Sequence, residues 1–167
     1  SPKSRREALP AQTSGQQPGV RGHTGDVSGE RAVGNPLGPA AVRDAMAAQP
    51  RAGFLPRAVR QRAGFDGPLD IGHGQTNSQP RTVAAMLELL DVRPGHRVLD
   101  VGSGSGWTTA ILAQLVGPAG SVLGLELVAA LGEPGAPNGA RPGVPRARIR
   151  RADPVGPGAP AEAPFDR

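Results

Sequence analysis

No cysteine occurs anywhere in the chain. A disulfide framework, a thiolate nucleophile and a cysteine-based zinc site are therefore excluded. The absence fits a reducing compartment, and a cytoplasmic location is the expectation drawn from it. Aromatic residues are nearly as scarce, with one Trp, three Phe and no Tyr, so the stacking platforms of single-strand nucleic-acid binders are missing. Lysine is all but absent: the formal charge of +5 rests on 18 Arg and the single Lys3. These Arg are scattered over the N-terminal tail, the first helical stretch and Arg141 to Arg151, without recognition-helix or zinc-finger spacing. A basic nucleic-acid-binding module is thus a minor alternative, and no nucleic acid is expected as a partner. The sequence has no apolar run near the roughly 18 residues of a membrane span, and its N-terminus lacks the apolar core of a signal peptide. A soluble chain without a membrane partner is expected. The histidines, His23, His73 and His96, stand far apart in the sequence; no metal site is expected, and His73 in its loop reads as a polar surface residue.

Glycine and proline are abundant instead, 25 and 19 of 167 residues, and they crowd the two ends. Residues 1–37 carry few large apolar side chains and no helical or strand period, so they read as a disordered tail. The stretch Gly38 to Gln49 is rich in helix formers, places Val42, Ala45 and Met46 at helical spacing, and is stopped by Pro50. Between Pro50 and Pro80 lie four Pro and five Gly counted with those two prolines, which predicts an irregular segment pinned by Phe54, Leu55 and Phe65. A loop that long in a packed domain is usually functional or disordered.

Pro80 suits a first helical position, and Val83, Met86, Leu87 and Leu90 form one apolar stripe. Arg97 to Val101 then reads as a buried strand, "GSGSG" as a turn, and "WTTAILAQLV" as a helix with Ile111, Leu112 and Leu115 on one stripe. "SVLGLE", Ser121 to Glu126, reads as the next strand. Residues 97–126 thus make one βαβ unit of about 30 residues, the length a crossover connection needs. Beyond it Pro134 and Pro137 cut short any second crossover helix. Ala147 to Asp153 is a candidate third strand, and "PFDR" reads as the lead-in to a fourth.

Glycines directly after a buried strand let backbone approach a ligand, and the following helix offers unpaired N–H groups and the positive end of its dipole. The dinucleotide fingerprint asks for glycine at the first, third and sixth places. Here Gly102 and Gly104 are followed by Gly106 at the fifth place and Trp107 at the sixth, so that fingerprint fails by one residue. Glu126 closes the next strand 20 positions after Gly106, where a carboxylate can accept both hydroxyls of a ribose. Asp100 before the turn, a helix after it and Glu126 beyond it favour a nucleoside cofactor over a plain tight turn with a surface Glu. Ser78, two residues ahead of Pro80, suits a helix cap as well as a binding role.

The run "DIGHGQTNSQPRTVAAMLELLDVRPGHRVLDVGSGSGWTTAILAQLV" resembles the protein-L-isoaspartate O-methyltransferase family. Its substrate loop has a Gly-x-Gly-Gln-Thr-x-Ser-Gln-Pro pattern upstream of the glycine motif. Gly72, Gly74, Gln75, Thr76, Ser78, Gln79 and Pro80 match that loop, while Asn77 stands where the family often has isoleucine. The likeness covers Val42 to Glu126 and extends more loosely to Arg167. It implies an α/β fold: the Rossmann-like, doubly wound sheet of a class I methyltransferase, incomplete at the C-terminus. The expected organisation is a tail over 1–37, a helix and substrate-binding loop over 38–80, and a partial S-adenosylmethionine-binding domain over 81–167. The resemblance further implies that Ser78 and Thr76 hold the reacting carboxylate. It assigns the cofactor S-adenosyl-L-methionine to Asp100, Gly102, Ser103, Gly104, Ser105, Gly106, Glu126 and Asp153. At Asp153 the family's Gly-Asp-Gly is replaced by Ala-Asp-Pro. The implied reaction is methyl transfer to the α-carboxylate of L-isoaspartyl residues in damaged proteins, a protein-repair step; a monomer is expected. A carboxylate with a pKa of about 3.5 is already ionised at neutral pH, so such a site needs no general base and works by alignment and exclusion of water. Because the family's sheet continues beyond "PFDR", a truncated, non-catalytic remnant is the alternative.

Overall fold

The computed structural model describes residues 38–132, 144, 146–156 and 158–167. The expected disordered tail over 1–37 lies outside these residues, as do Pro134 and Pro137. Helix α1 spans Gly38–Ala48, as its composition predicts, and buries Val42 and Ala45. Two short 3-10 turns follow, Arg51–Phe54 and Arg60–Arg62. The segment up to Pro80 is less irregular than its glycine content suggests, because it contains a hairpin of β1, Leu69–Gly72, and β2, Gln75–Asn77. His73 and Gly74 make its two-residue turn, both with positive φ, 56° and 70°, the backbone a type I′ hairpin requires. Leu69 and Ile71 of β1 point inward and join Leu55 and Leu131 in a small apolar cluster. Phe54 and Leu55 are buried as expected. Phe65 is not an anchor: the residue is 49% exposed and its ring lies against the Arg62 guanidinium.

Helix α2, Pro80–Leu90, begins on Pro80, whose fixed φ and missing N–H cost nothing at that position. It ends at Asp91 in the left-handed region. Val83 and Leu87 of the expected stripe are buried, whereas Met86 is 63% exposed, because only the Val83–Leu87 edge meets α1 and the core. Strands β3 (Arg97–Val101), β4 (Ser121–Glu126) and β5 (Ala147–Arg151) form a parallel sheet in the order β3-β4-β5. The expected third strand therefore stops at Arg151, two residues early, although the Ala152 N–H still reaches the Glu126 carbonyl at 2.8 Å. Only Val98 of β3 is fully buried, so that strand is less enclosed than its apolar run predicts.

The central strand β4 is buried from Val122 to Glu126. Helix α3, Trp107–Val116, crosses from β3 to β4 and is buried on nearly every face, because it is packed between the sheet and α1. A Cβ added at Gly124 would stand 2.8 Å from Ile149 Cγ1 and 3.1 Å from both Ser103 Cβ and Thr109 Oγ1, so glycine there lets the turn and helix close onto the sheet. Among the described residues the opposite face, Leu99, Leu123 and Leu125, is covered by Ala152, Ala159 and Phe165 of the C-terminal stretch. That stretch then turns to the free edge of β3: the Asp166 N–H donates to the Arg97 carbonyl at 2.8 Å, and the Leu99 N–H to the Arg167 carbonyl at 3.0 Å. "PFDR" thus occupies the fourth-strand place without forming a ladder. After Glu126 the chain has only the short helix α4, Ala129–Gly132, before the residues left undescribed.

Candidate functional site

With β4 on one side of β3 and the C-terminal residues on the other, the direction of chain growth reverses at β3. Crevices at the carboxyl ends of strands beside such a reversal are where open α/β sheets hold ligands. The turn after β3 is built for close approach: Gly102, Gly104 and Gly106 all have positive φ, 78°, 53° and 80°. A Cβ built on Gly102 would meet nothing within 4 Å, so bare backbone faces open space. The Gly102 and Ser103 N–H groups are tied to the Leu125 carbonyl, and the Gly106 N–H to the Ser103 carbonyl. Gly106 caps α3.

Glu126 at the end of β4 is buried, and its carboxylate is held by two backbone donors. The Gly104 N–H reaches Oε2 and the Val128 N–H reaches Oε1, both at 2.7 Å. A cleft of about 400 Å³ opens over this pair, lined by Gly102, Gly104, Glu126, Leu127, Asp153 and, from the hairpin, Thr76. That volume lies within the range of about 300–1,000 Å³ usual for small-molecule sites. Asp153 is exposed at the rim, and its Oδ1 accepts the Val155 N–H at 2.9 Å. Ser78 lines an adjoining cleft of about 280 Å³ with Asp100 and Thr108. The two clefts share Val101 and Gly102, so Thr76 and Ser78 flank one backbone ridge rather than a single cavity. The Asp100 Oδ2 accepts the Thr109 hydroxyl at 2.6 Å. Burial pushes the Asp100 carboxyl above its ordinary value; the Thr109 bond opposes that push and the Glu126 charge adds to it.

Two of the residues singled out from the sequence turn their side chains away from the cleft. Ser103 and Ser105 are buried behind the turn; the Ser103 hydroxyl has no hydrogen-bond partner among the described residues, and the Ser105 hydroxyl accepts the Asn77 side-chain amide at 3.1 Å. Any part they play at the cleft belongs to their backbone. Conversely, Arg51 escaped sequence reasoning because one Arg among 18 gives no signal. It is buried and holds the whole approach to the site. Its guanidinium donates to Asn77 Oδ1 at 2.6 Å and to the carbonyls of Ala63, Phe65, Gly67, Asn77 and Ser78 at 2.8–3.4 Å. Burial lowers its pKa and Asp66 acts against that shift. It also lies 5.6 Å from the centroid of Trp107, whose indole N–H caps the end of α1 at the Gln49 carbonyl. Among the described residues no group of three His, Asp or Glu side chains could hold a metal ion, and no helix is long and apolar enough to cross a membrane.

Comparison with known proteins places this geometry in a family. Residues 37–167 match the family model for protein-L-isoaspartate(D-aspartate) O-methyltransferase. A protein-L-isoaspartate O-methyltransferase of Methanopyrus kandleri is 46% identical over 127 residues, 75% of this chain and 56% of that protein. One from Rhodopseudomonas palustris is 43% identical over 142 residues, 82% of this chain and 56% of that protein. A solved protein-L-isoaspartate O-methyltransferase superposes with a TM-score of 0.65 at 28% identity, covering 75% of this chain and 41% of its own. The chain therefore spans a little over half the length of these two curated relatives. A parallel sheet, a glycine turn under a hairpin, an acidic residue closing β4 and a family match over most of the residues lead to one conclusion: the chain belongs to the protein-L-isoaspartate(D-aspartate) O-methyltransferase family.

Proposed function

We propose that the cleft over Gly104 and Glu126 binds S-adenosyl-L-methionine, and that the chain serves methyl transfer to the α-carboxylate of L-isoaspartyl residues in damaged proteins. The observation that carries this reading is the Glu126 carboxylate, fixed by the Gly104 and Val128 amides at the floor of a glycine-lined cleft that Thr76 overlooks. A carboxylate offers about four acceptor sites; two amides leave the remainder for ribose hydroxyls. Gly102 and Gly104 would admit the ligand against bare backbone, and Asp153 would stand at its rim beside the base. Ser103, Ser105 and Gly106 would contribute through the shape of the turn, and Asp100 through its charge below it. When bound, the cofactor would supply a sulfonium methyl group for transfer to a carboxylate oxygen, with the carbon–sulfur electrons left on sulfur. Thr76 and Ser78, on either side of the Val101–Gly102 ridge, would hold the carboxylate by hydroxyl donation. No proton needs to move, in keeping with a site built without Cys or a placed His. A monomer in the cytoplasm, with isoaspartyl-containing proteins as its partners, is the setting this reading implies.

Calorimetric titration of this chain with S-adenosylhomocysteine tests it, paired with methylation of an isoaspartyl peptide. Binding is expected to be lost in Glu126→Ala and Gly104→Val, and turnover to fall in Ser78→Ala with binding retained. Binding without turnover in the native chain would reduce the reading to cofactor capture. No binding at all, or indifference of affinity and turnover to all three changes, would defeat it.

A further inference from the structure

The position where the family often has isoleucine is occupied here by Asn77, and its side chain joins two buried polar groups. Arg51, Asn77 and Ser105 are 6%, 5% and 3% exposed. The guanidinium has no acceptor atom, so the Asn77 carbonyl oxygen must face Arg51 Nε, at 2.6 Å, and its NH2 group must face Ser105 Oγ, at 3.1 Å. Both ends of the carboxamide are thereby fixed. On the far side of Arg51, Nη2 holds the carbonyls of Asn77 and Ser78. On the far side of Ser105, the adjacent Gly104 N–H holds Glu126. A continuous line of hydrogen bonds and one peptide link thus runs from the backbone of Ser78 to the carboxylate at the floor of the cleft, with all three side chains buried, where such bonds reinforce one another.

We infer that Arg51, Asn77 and Ser105 form a positioning relay that makes the hairpin-to-α2 segment and the glycine turn move as one unit, coupling a ligand over Gly104 to the placement of Thr76 and Ser78. In this chain the polar relay does the work that an apolar side chain at position 77 could do only by packing. The ligand half of the inference rests on the function proposed above; the mechanical half does not. Coupling between two sites is reciprocal, so the substrate peptide must tighten the cofactor by the same factor.

Amide hydrogen exchange of the ligand-free chain, read by mass spectrometry, tests the mechanical half with Asn77→Ile, Ser105→Ala and the double variant. Each single change is expected to speed exchange in both 75–79 and 102–106 by about tenfold, and the double by no more than the larger single. Changes confined to each variant's own segment, or effects that multiply in the double, overturn the relay. Should Asn77→Ile fail to fold, Ser105→Ala alone decides the matter by whether it opens 75–79. S-adenosylhomocysteine titrated with and without an isoaspartyl peptide then reads the coupling. The peptide is expected to tighten binding about fivefold in the native chain and to have no effect on it in Ser105→Ala. Binding with no coupling in the native chain, or with coupling unchanged in the variant, overturns the relay and leaves the proposed function standing. Absence of binding strikes the proposed function, while the exchange result still decides whether the relay exists.

Discussion

The segment from Arg51 to Gln79 and the unit from Arg97 to Glu126 meet at the same cleft but are held in different ways. The second is secured by a distributed set of contacts: a parallel ladder in register from Arg97–Ser121 to Val101–Leu125, and a helix buried on nearly every face. The first has two short strands, two single 3-10 turns and three buried residues, Leu55, Leu69 and Ile71, in an apolar cluster that Leu131 completes. Its coherence comes from one side chain, Arg51, whose five N–H donors reach acceptors on residues 63, 65, 67, 77 and 78. A region held by packing fails gradually as contacts are lost; one gathered by a single guanidinium fails when that group is removed.

The largest effect should therefore come from Arg51→Ala. It strands several carbonyls that are partly or fully enclosed, and an unsatisfied buried acceptor costs about 1–3 kcal/mol. Water will recover some of them, so a loss of about 3 kcal/mol in urea denaturation is expected. Faster exchange should be concentrated in 63–79 and, through Asn77 and Ser105, in the turn 102–106. Equal loss of protection in β4 would break the contrast between the two regions.

Legibility in the sequence followed the same division. The βαβ unit was readable because its signals are local and periodic: an apolar run, a glycine turn, a helical stripe and a second apolar run, each agreeing with the next. Glu126 could be placed by spacing alone. The hairpin was not readable, because its strands are four and three residues long and its turn carries His73 where a second glycine would have been the usual sign. Phe65 and Met86 looked like core residues by type and period, yet whether an apolar side chain is covered depends on what stands opposite, and nothing in the local sequence states that. Thr76 and Ser78 were found through a motif rather than through chemistry. The structure adds that a ridge separates them and that Ser103 and Ser105, each set between two positive-φ glycines, both face inward.

Gly124→Val sharpens the contrast from the other side. No single hydrogen bond secures the βαβ unit, so its weak point is space. The added Cβ would fall 2.8 Å from Ile149 Cγ1 and 3.1 Å from Ser103 Cβ and Thr109 Oγ1, and two further methyl groups would press on the same wall. Overpacking of this kind costs about 2 kcal/mol. The shift should appear as a lower melting temperature together with weaker S-adenosylhomocysteine binding, because Ser103 sits in the turn itself. Lowered stability with unaltered binding would mean that the turn is insulated from the sheet beneath it.

The smallest effect is expected at Asp100, and it should show as a dependence on pH. Burial holds this carboxyl above its ordinary value, with the Thr109 bond opposing and Glu126 reinforcing. The folded state thus binds a proton more readily than the unfolded chain does. By linkage, the native protein should lose stability as pH rises from the ordinary carboxylate value toward the elevated folded one, and the cost should persist above it. Asp100→Asn keeps an acceptor for the Thr109 hydroxyl and removes the charge. The variant should therefore be the more stable of the two at neutral pH, and the difference should shrink as pH falls through the window to vanish below about pH 4. Denaturation curves at a series of pH values read this directly. A difference that stays constant with pH would mean that Asp100 is charged at no cost beneath the turn. The border between the two regions would then be wetter than its burial indicates.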